Sequence, residues 1–358
     1  VVVWAHAGVG RIVHPVKEQL AMMERGLARP EAKNFYIDIS WTELAKYVTA
    51  SPEAVAAMAG LINRYPDRFL FGTDEVAPAD QKSYLKIVDT YQPLFAALTP
   101  DAKQKVLKGN YERLFDEARK IQASILPRRA PSYRGFDLWG QVQPMEKVGG
   151  DFFDFIPVTD KILGLAIADV SGHGLPAALQ VRDIYMGLRM GMARDFKIVR
   201  TVERLNQIIH KSTLTSRFVS MFYGELEPNG VFIYVNAGHP APFHLSATGD
   251  VRNLDEGGPV LGPLAEATYE RGFIRLNPGD MVVLYTDGMI EATPAGSDSG
   301  EEFGIERLVE IARRLRGKSS KEIAETMMKA VESYRGEGEA QDDRTVVVVT
   351  YPKLQAGA

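Results

Sequence analysis

The stretch LGLAIADVSGHG, at residues 163–174, decides the fold of the larger part of this chain. Its apolar run ends in Asp169, and a short apolar run bounded by turn signals is typical of a buried strand. A glycine-rich turn follows at 171–174, and Pro176 suits the first turn of a helix. The pattern therefore predicts a carboxylate held where a strand passes into a helix.

Two other strands are predicted to carry acidic residues at their ends. The apolar run at 281–286 leads into Asp287, and Asp342 and Asp343 precede the run at 345–349. Bare carboxylates in one pocket repel each other, and a hard cation removes that repulsion. Ligand sets made only of oxygen suit Mg²⁺ or Mn²⁺. Two such ions can activate a water and stabilise an in-line displacement at phosphorus.

Five motifs then occur in a fixed order: GGDFFD (149–154), ADVSGHG (168–174), NAGHPAP (236–242), YTDGMIEA (285–292) and DDRTVVVV (342–349). Together they resemble the PPM-type metal-dependent serine/threonine phosphatases, in the branch of sporulation phosphatase E and the stress-response phosphatases. The resemblance covers about 118–354. It implies an α+β fold in which two stacked antiparallel sheets lie between helices, an αββα sandwich.

The resemblance also implies a set of site residues and two bound ions, Mn²⁺ or Mg²⁺. Asp169 and Asp287 take the catalytic positions. The implied metal ligands are Asp151, Asp169, the carbonyl of Val170, Asp287 and Asp342. The family pattern is an aspartate, any two residues and a threonine, so Thr345 assigns the ligand position to Asp342 and leaves Asp343 as support.

The sequence leaves more than one possible role for several residues in or near these motifs. Asp154 lies three residues after Asp151 and would face away from it in a strand, which favours a structural or supporting role. His173 is either a general acid or incidental to its glycine turn. His239 belongs to a motif interpreted as a turn. Lys147 and Arg182 are the candidate phosphate contacts, because no arginine stands at an obvious clamp position.

The first 109 residues have a different pattern, with strands predicted at 1–5, 35–40 and 68–74 and a helix at 52–64. Strands that alternate with helices favour a parallel sheet. The stretches HAGVGR, YIDIS and RFLFGTDE resemble the last third of an amidohydrolase-type (β/α)₈ barrel. His6 and Asp74 match metal-binding positions of that family. The His-x-His pair of its first strand is absent, so these two residues are either a relic site or ordinary hydrogen-bonded side chains.

A helix is predicted between the two parts, at 110–126, with Asn110 as its cap. Its apolar residues are spaced three and four apart, as in a coiled-coil seam: Tyr111, Leu114, Ala118, Ile121 and Ile125. The helix either joins two copies in a homodimer or packs on its own domain. The expected domains are therefore a partial amidohydrolase-like segment at 1–109, a linker helix at 110–127 and a phosphatase domain at 128–358.

Composition limits the partners. The net charge of −4 over 358 residues argues against nucleic acid, and no apolar run reaches the ~20 residues that span a bilayer. The absence of cysteine fits a cytoplasmic protein. Because the chain begins with Val1 inside an apolar run, we expect a fragment of a longer protein.

The resemblance implies that the substrate is a phosphorylated anti-sigma-factor antagonist of the STAS type, in a bacterial partner-switching pathway. Two alternatives stay open: a metal-dependent amidohydrolase with a regulatory phosphatase domain, and a switch protein that binds its partner without hydrolysis.

Overall fold

The structure, a computed structural model, describes residues 2–8, 18–72, 81–172, 174–192, 197–212, 218–295, 300–337 and 341–352, with the backbone alone at 6, 81–84, 191 and 192. The chain divides into two compact units, Val1–Glu117 and Ala118–Ala358. Each unit has its own hydrophobic core.

The first unit contains a parallel sheet with the order β1-β2-β3. Its elements are β1 (Val2–Trp4), α1 (Gln19–Leu27), β2 (Phe35–Asp38), α2 (Thr42–Val48), α3 (Pro52–Arg64), β3 (Phe69–Leu70), α4 (Gln81–Thr90), α5 (Gln92–Ala97), α6 (Pro100–Gln104) and α7 (Asn110–Ile125), which continues into the second unit. The parallel sheet and the helix at 52–64 are confirmed. The likeness to part of a barrel stays a prediction.

The second unit contains two sheets and four helices within the described ranges. Its elements are β4 (Asp137–Gln143), β5 (Phe152–Thr159), β6 (Ile162–Val170), α8 (Gly174–Met192), α9 (Ile198–Ser212), β7 (Val219–Leu226), β8 (Val231–Ala237), β9 (Phe243–Leu245), β10 (Val251–Asn253), β11 (Gly257–Gly258), β12 (Gly272–Arg275), β13 (Met281–Tyr285), α10 (Gly304–Arg314), α11 (Ser320–Arg335) and β14 (Arg344–Thr350).

The two sheets of this unit are built mainly from antiparallel pairs. One has the order β10-β9-β13-β14-β4, and the other has the order β11-β8-β7-β6-β5 with β12 also paired to β8. The pairing of β11 with β8 is parallel, and the other strand pairs of both sheets are antiparallel.

Three apolar cores separate the layers. Alternate residues of one strand enter different cores, as the two-residue period of a strand requires. On β6, Leu165 and Ile167 pack between the two sheets, whereas Ala166 and Ala168 pack under α8 and α9. A third core joins the five-stranded sheet to α10 and α11. The predicted αββα sandwich is therefore confirmed.

Two helix caps are predicted from the sequence, one at Asn110 and one at Ser319, which has Glu322 three residues later, and the structure contains the second. Ser319 caps α11 by accepting a hydrogen bond from the backbone N–H of Glu322 at 3.2 Å, as its capping-box pattern indicates. The prediction that Asn110 caps its helix is wrong. Its side-chain amide donates instead to the carbonyls of Pro66 and Phe69, both at 2.8 Å, and a π-helical turn (Lys105–Gly109) joins α7 to the preceding helix.

Candidate active site

Asp169 occupies the penultimate position of β6, on the face that packs between the two sheets. The turn that follows needs glycine, because Gly172 and Gly174 have φ angles of +87° and +73°, which L side chains rarely adopt. Burial is the main cause that raises the pKa of Asp169 to about 8, and the carboxylates of Asp287 and Asp342 contribute to this increase. The strand therefore holds one half-buried carboxylate next to acidic residues of the other sheet.

Asp151 lies directly before β5 and is almost fully buried. Its Oδ2 accepts hydrogen bonds from the hydroxyls of Thr286 at 2.8 Å and Thr345 at 2.6 Å. The Thr286 hydroxyl in turn accepts from the backbone N–H of Thr345 at 2.9 Å. Burial is the main cause that raises the pKa of Asp151, followed by the Asp169 carboxylate. This network ties Asp151 of one sheet to two strand ends of the other.

Asp287 and Asp342 stand at the ends of neighbouring strands, β13 and β14. Asp287 begins a short 3₁₀ turn (Asp287–Met289), and its Oδ1 accepts from the backbone N–H of Gly288 at 2.9 Å. Asp342 is exposed, and its Oδ1 accepts from the N–H of Asp343 at 2.7 Å. Both belong to the group of carboxylates that raises the pKa of Asp169.

Asp343 has a different environment from Asp342 although the two are adjacent. It is buried, and its Oδ1 and Oδ2 accept the backbone N–H groups of Met145 and Gly150, each at 2.6 Å. Both oxygens are thus used to hold the loop that carries Asp151. This geometry is consistent with Asp342 as the ligand and Asp343 as its support.

Gln122 of α7 holds the same loop from its other side. Its amide donates to the carbonyl of Gly149 at 2.6 Å and accepts from the Gly149 N–H at 3.2 Å. The next carbonyl, of Gly150, accepts from the N–H of Val170 at 3.2 Å. A methyl group added at Gly150 would lie 2.7 Å from the Val170 carbonyl, so only glycine fits there. The loop is therefore fastened to α7, β6 and the start of β14.

Asp154 points to the helix layer and not to this site. Its Oδ2 accepts from Arg189 of α8 at 2.5 Å, and the guanidinium of Arg189 lies 3.7 Å from the ring centroid of Tyr185. This placement agrees with the structural role expected for Asp154.

The NAGH motif forms a turn, as interpreted from the sequence. The Asn236 side chain accepts from the N–H of His239 at 2.8 Å and donates to its carbonyl at 3.0 Å. The His239 ring is buried and lies 2.9 Å, at Nδ1, from the hydroxyl of Ser220, which pairs with Asp169 across the ladder. Burial lowers the pKa of His239 to about 3, so this ring is neutral at physiological pH.

Three predicted residues lie wholly or partly outside the described residues. They are Asp74, His173 and the side chain of His6, whose backbone belongs to a short 3₁₀ helix. Sequence reasoning missed three residues that the structure adds to the site: Gln122, Thr286 and Glu291. It used Thr345 to choose between Asp342 and Asp343 but did not predict its bond to Asp151. Thr286 and Glu291 lie inside a quoted motif, but nothing in their spacing distinguishes them from other polar residues.

The donor set fits a hard cation in its chemistry. Burial and the charges of Asp287 and Asp342 are the causes that raise the pKa of Asp169, and a divalent ion would relieve both. Within the described ranges, however, no three acidic or histidine side chains are arranged so that they could hold an ion. The carboxylates of Asp287 and Asp342 each accept the backbone N–H of the next residue, and Asp151 accepts the hydroxyl of Thr286.

Both parts of the chain match models of known protein families. The family model of stage II sporulation protein E (SpoIIE) matches residues 159–352, more than half of the chain. The chain belongs to the SpoIIE family. An amidohydrolase family model matches residues 1–116.

This SpoIIE-family chain matches only part of the length of its curated relatives. It is 28% identical over 240 residues to protein IcfG of Synechocystis, which covers 58% of this chain and 37% of that protein. It is also 28% identical over 194 residues to the phosphoserine phosphatase RsbU of Bacillus subtilis, covering 53% of this chain and 58% of RsbU. The chain thus spans about a third to three fifths of these curated relatives.

The fold is that of a solved phosphatase domain. The SiaA-PP2C domain of Pseudomonas aeruginosa superposes with a TM-score of 0.60 at 20% identity, over 67% of this chain and 97% of that domain. Within the described residues, no helix is both long and apolar enough to cross a bilayer.

Proposed function

We propose that this chain is a metal-dependent phosphoprotein phosphatase that hydrolyses phosphoserine or phosphothreonine without a covalent enzyme intermediate. One observation supports this most: Asp169 of one sheet is half-buried next to the carboxylates of Asp287 and Asp342 from the other. Such a group of carboxylates is unfavourable unless cations occupy it.

The proposed ligands are Asp151, Asp169, the carbonyl of Val170, Asp287 and Asp342, for two Mn²⁺ or Mg²⁺ ions. Bound ions of this kind activate a water and neutralise charge on a phosphoryl group. Other side chains of this protein hold the proposed ligands in position. Thr286 and Thr345 orient Asp151, and Asp343 and Gln122 hold the loop that carries it.

The proposed substrate is a phosphorylated anti-sigma-factor antagonist of the STAS type, which places the enzyme in the cytoplasm. The support is the similarity to RsbU, a phosphoserine phosphatase. We also propose the domains expected from the sequence, at 1–109, 110–127 and 128–358, with the helix at 110–126 as the homodimer contact. In this arrangement, the amidohydrolase-like segment is a sensing or positioning unit.

The homodimer proposal has a specific test in Ile121, whose side chain is 59% exposed on α7. Ile121→Glu places a charge on that surface. Sedimentation of the full chain should change from dimer to monomer, whereas a chain that is monomeric from the start would refute the proposal.

The function itself is tested by phosphate release from a phosphoseryl STAS protein with Mn²⁺, for the full chain and its Asp169→Asn variant. We expect turnover that requires Mn²⁺ and falls at least a thousandfold in the variant. The variant should unfold in urea, with EDTA present, at no lower concentration than the parent, because it removes a half-buried carboxylate that neighbouring carboxylates repel. A variant that is folded and fully active would refute the assignment.

The amidohydrolase match supports a second candidate activity. Hydrolysis of an amide or ester that persists in Asp169→Asn and disappears in His6→Ala would establish it. Absence of such hydrolysis with Zn²⁺ or Mn²⁺ would leave the phosphatase as the one activity proposed.

A further inference from the structure

A cavity of about 290 Å³ lies next to Asp342, between the segment after β13 and the last turn of α11. Its lining includes Gly288, Glu291, Thr293, Arg335, Asp342 and Arg344. It therefore borders the acidic site on one side and contains two arginines on the other. None of the five sequence motifs predicts a function for this cavity.

Arg344 is the unusual group in this lining. Only 3% of the residue is exposed, yet its Nε and Nη1 atoms are buried without a hydrogen-bond partner within the described part of the chain. These two atoms carry three of the five N–H groups of the guanidinium. Buried donors are nearly always satisfied in native proteins, so this arginine is set up for a ligand.

Glu332 of α11 fixes the orientation of the arginine. Its carboxylate accepts from Nη2 of Arg344 at 2.6 Å and from Nη2 of Arg335 at 2.8 Å. Arg344 is the main cause that lowers the pKa of Glu332. Glu332 thus holds Nη2 of Arg344, and the N–H groups of Nε and Nη1 remain for charge-assisted hydrogen bonds to a carboxylate or phosphate.

The position of Arg344 argues against contact with the reacting phosphate. On β14, Thr345 faces the space between the sheets and bonds Asp151. Arg344 belongs to the opposite face, whose next members, Val346 and Val348, pack under α10 and α11. Because Glu291 and Asp342 line the same cavity, an anion there is expected to lie towards Arg344.

We infer that this cavity binds an oxyanion of the protein substrate, an acidic side chain near its phosphorylated residue, and that Arg344 is a specificity-determining residue. The assignment of this oxyanion to the protein substrate rests on the proposed function. The binding of an oxyanion in the cavity does not depend on it. It gives the enzyme a contact that a small phosphate ester cannot make.

The binding test uses the metal-free full chain in EDTA, with inorganic phosphate as the probe and calorimetric titration as the measurement. The variants are Arg344→Met and Glu332→Gln. The control is Arg307→Met, which removes an arginine of α10 that forms an ion pair with Glu301. We expect saturable binding in the parent and the control, weakened at least tenfold in Arg344→Met by the loss of a charge-assisted pair.

Glu332→Gln keeps the arginine and removes the competing negative charge, so binding of phosphate should become tighter. If Arg344→Met does not fold, the phosphate affinity of Glu332→Gln decides whether Arg344 binds the oxyanion. No saturable binding in the parent, or binding that neither variant changes, would overturn the inference.

The second measurement compares two substrates in the presence of Mn²⁺: a phosphoseryl STAS protein and p-nitrophenyl phosphate. Arg344→Met should raise KM about tenfold for the phosphoprotein and leave kcat/KM for the aryl phosphate unchanged. Equal losses on both substrates would show that Arg344 supports the reacting site and would overturn the inference. If the parent hydrolyses neither substrate, the proposed function fails, and the calorimetric result alone decides whether the cavity binds oxyanions.

Discussion

The two adjacent aspartates at the start of β14 should respond to substitution in opposite ways. Asp343→Asn replaces one carboxylate oxygen by an NH₂ group, which then faces a backbone N–H donor of Met145 or Gly150. The variant loses one charge-assisted hydrogen bond and leaves a buried donor unsatisfied, a cost of about 3 kcal/mol. Asp342 is exposed and accepts the N–H of its neighbour Asp343, so Asp342→Asn should cost less than about 0.5 kcal/mol.

Urea unfolding in EDTA, followed by tryptophan fluorescence, measures both costs. With a slope of about 3 kcal/mol/M, the Asp343→Asn midpoint should fall by about 1 M, and the Asp342→Asn midpoint should not move measurably. Titration with Mn²⁺ then separates the roles, because only Asp342→Asn should lose activation while its stability is unchanged. Equal destabilisation by both variants, or an Asp343→Asn variant that is stable but does not respond to Mn²⁺, would refute the assignment.

Two other predictions concern groups that support the site. Gln122→Leu leaves the N–H and carbonyl of Gly149 without partners, so the Mn²⁺ concentration for half-maximal activity should rise about tenfold, and Ser124→Ala on the same helix should not change it. The pKa of His239 in the folded chain, about 3, lies below its ordinary value of 6.5, so the stability it contributes is complete above pH 6.5 and is lost as the pH falls. Between pH 6.5 and 5.5 the free energy of unfolding should fall by about 1 kcal/mol more in the parent than in His239→Gln, and identical pH profiles for the two would contradict the burial argument.

The sequence predicted the parts of the fold that depend on local patterns. The strand that carries Asp169, the α3 helix and the Ser319 cap all have short-range signals, and each was confirmed. The short strands β9, β10 and β11 were missed, because strands of two or three residues contain too few positions for a period of two to be recognised.

The site itself was predictable only in its charged members. Carboxylates at strand ends stand out in a sequence, and the motif order specified which of them to group. Gln122 has no such signal, since its role depends on which face of α7 is buried. The predicted seam placed Ile121 in a contact, whereas in the structure Ile121 is exposed and its neighbour Gln122 is buried. Hydrogen bonds between residues that are far apart in the chain, such as Thr345 to Asp151, cannot be inferred from spacing alone.

The position of β14 in its sheet has a consequence for synthesis on the ribosome. This strand lies between β13 and β4, and within the described residues β4 has no other strand partner. About 200 residues separate Asp137 from its ladder partner Thr350, so β4 keeps an open edge until β14 has been synthesised. Asp342 is synthesised immediately before β14. A nascent chain that has not reached β14 therefore lacks Asp342, and the proposed phosphatase site is complete only after this sheet has closed.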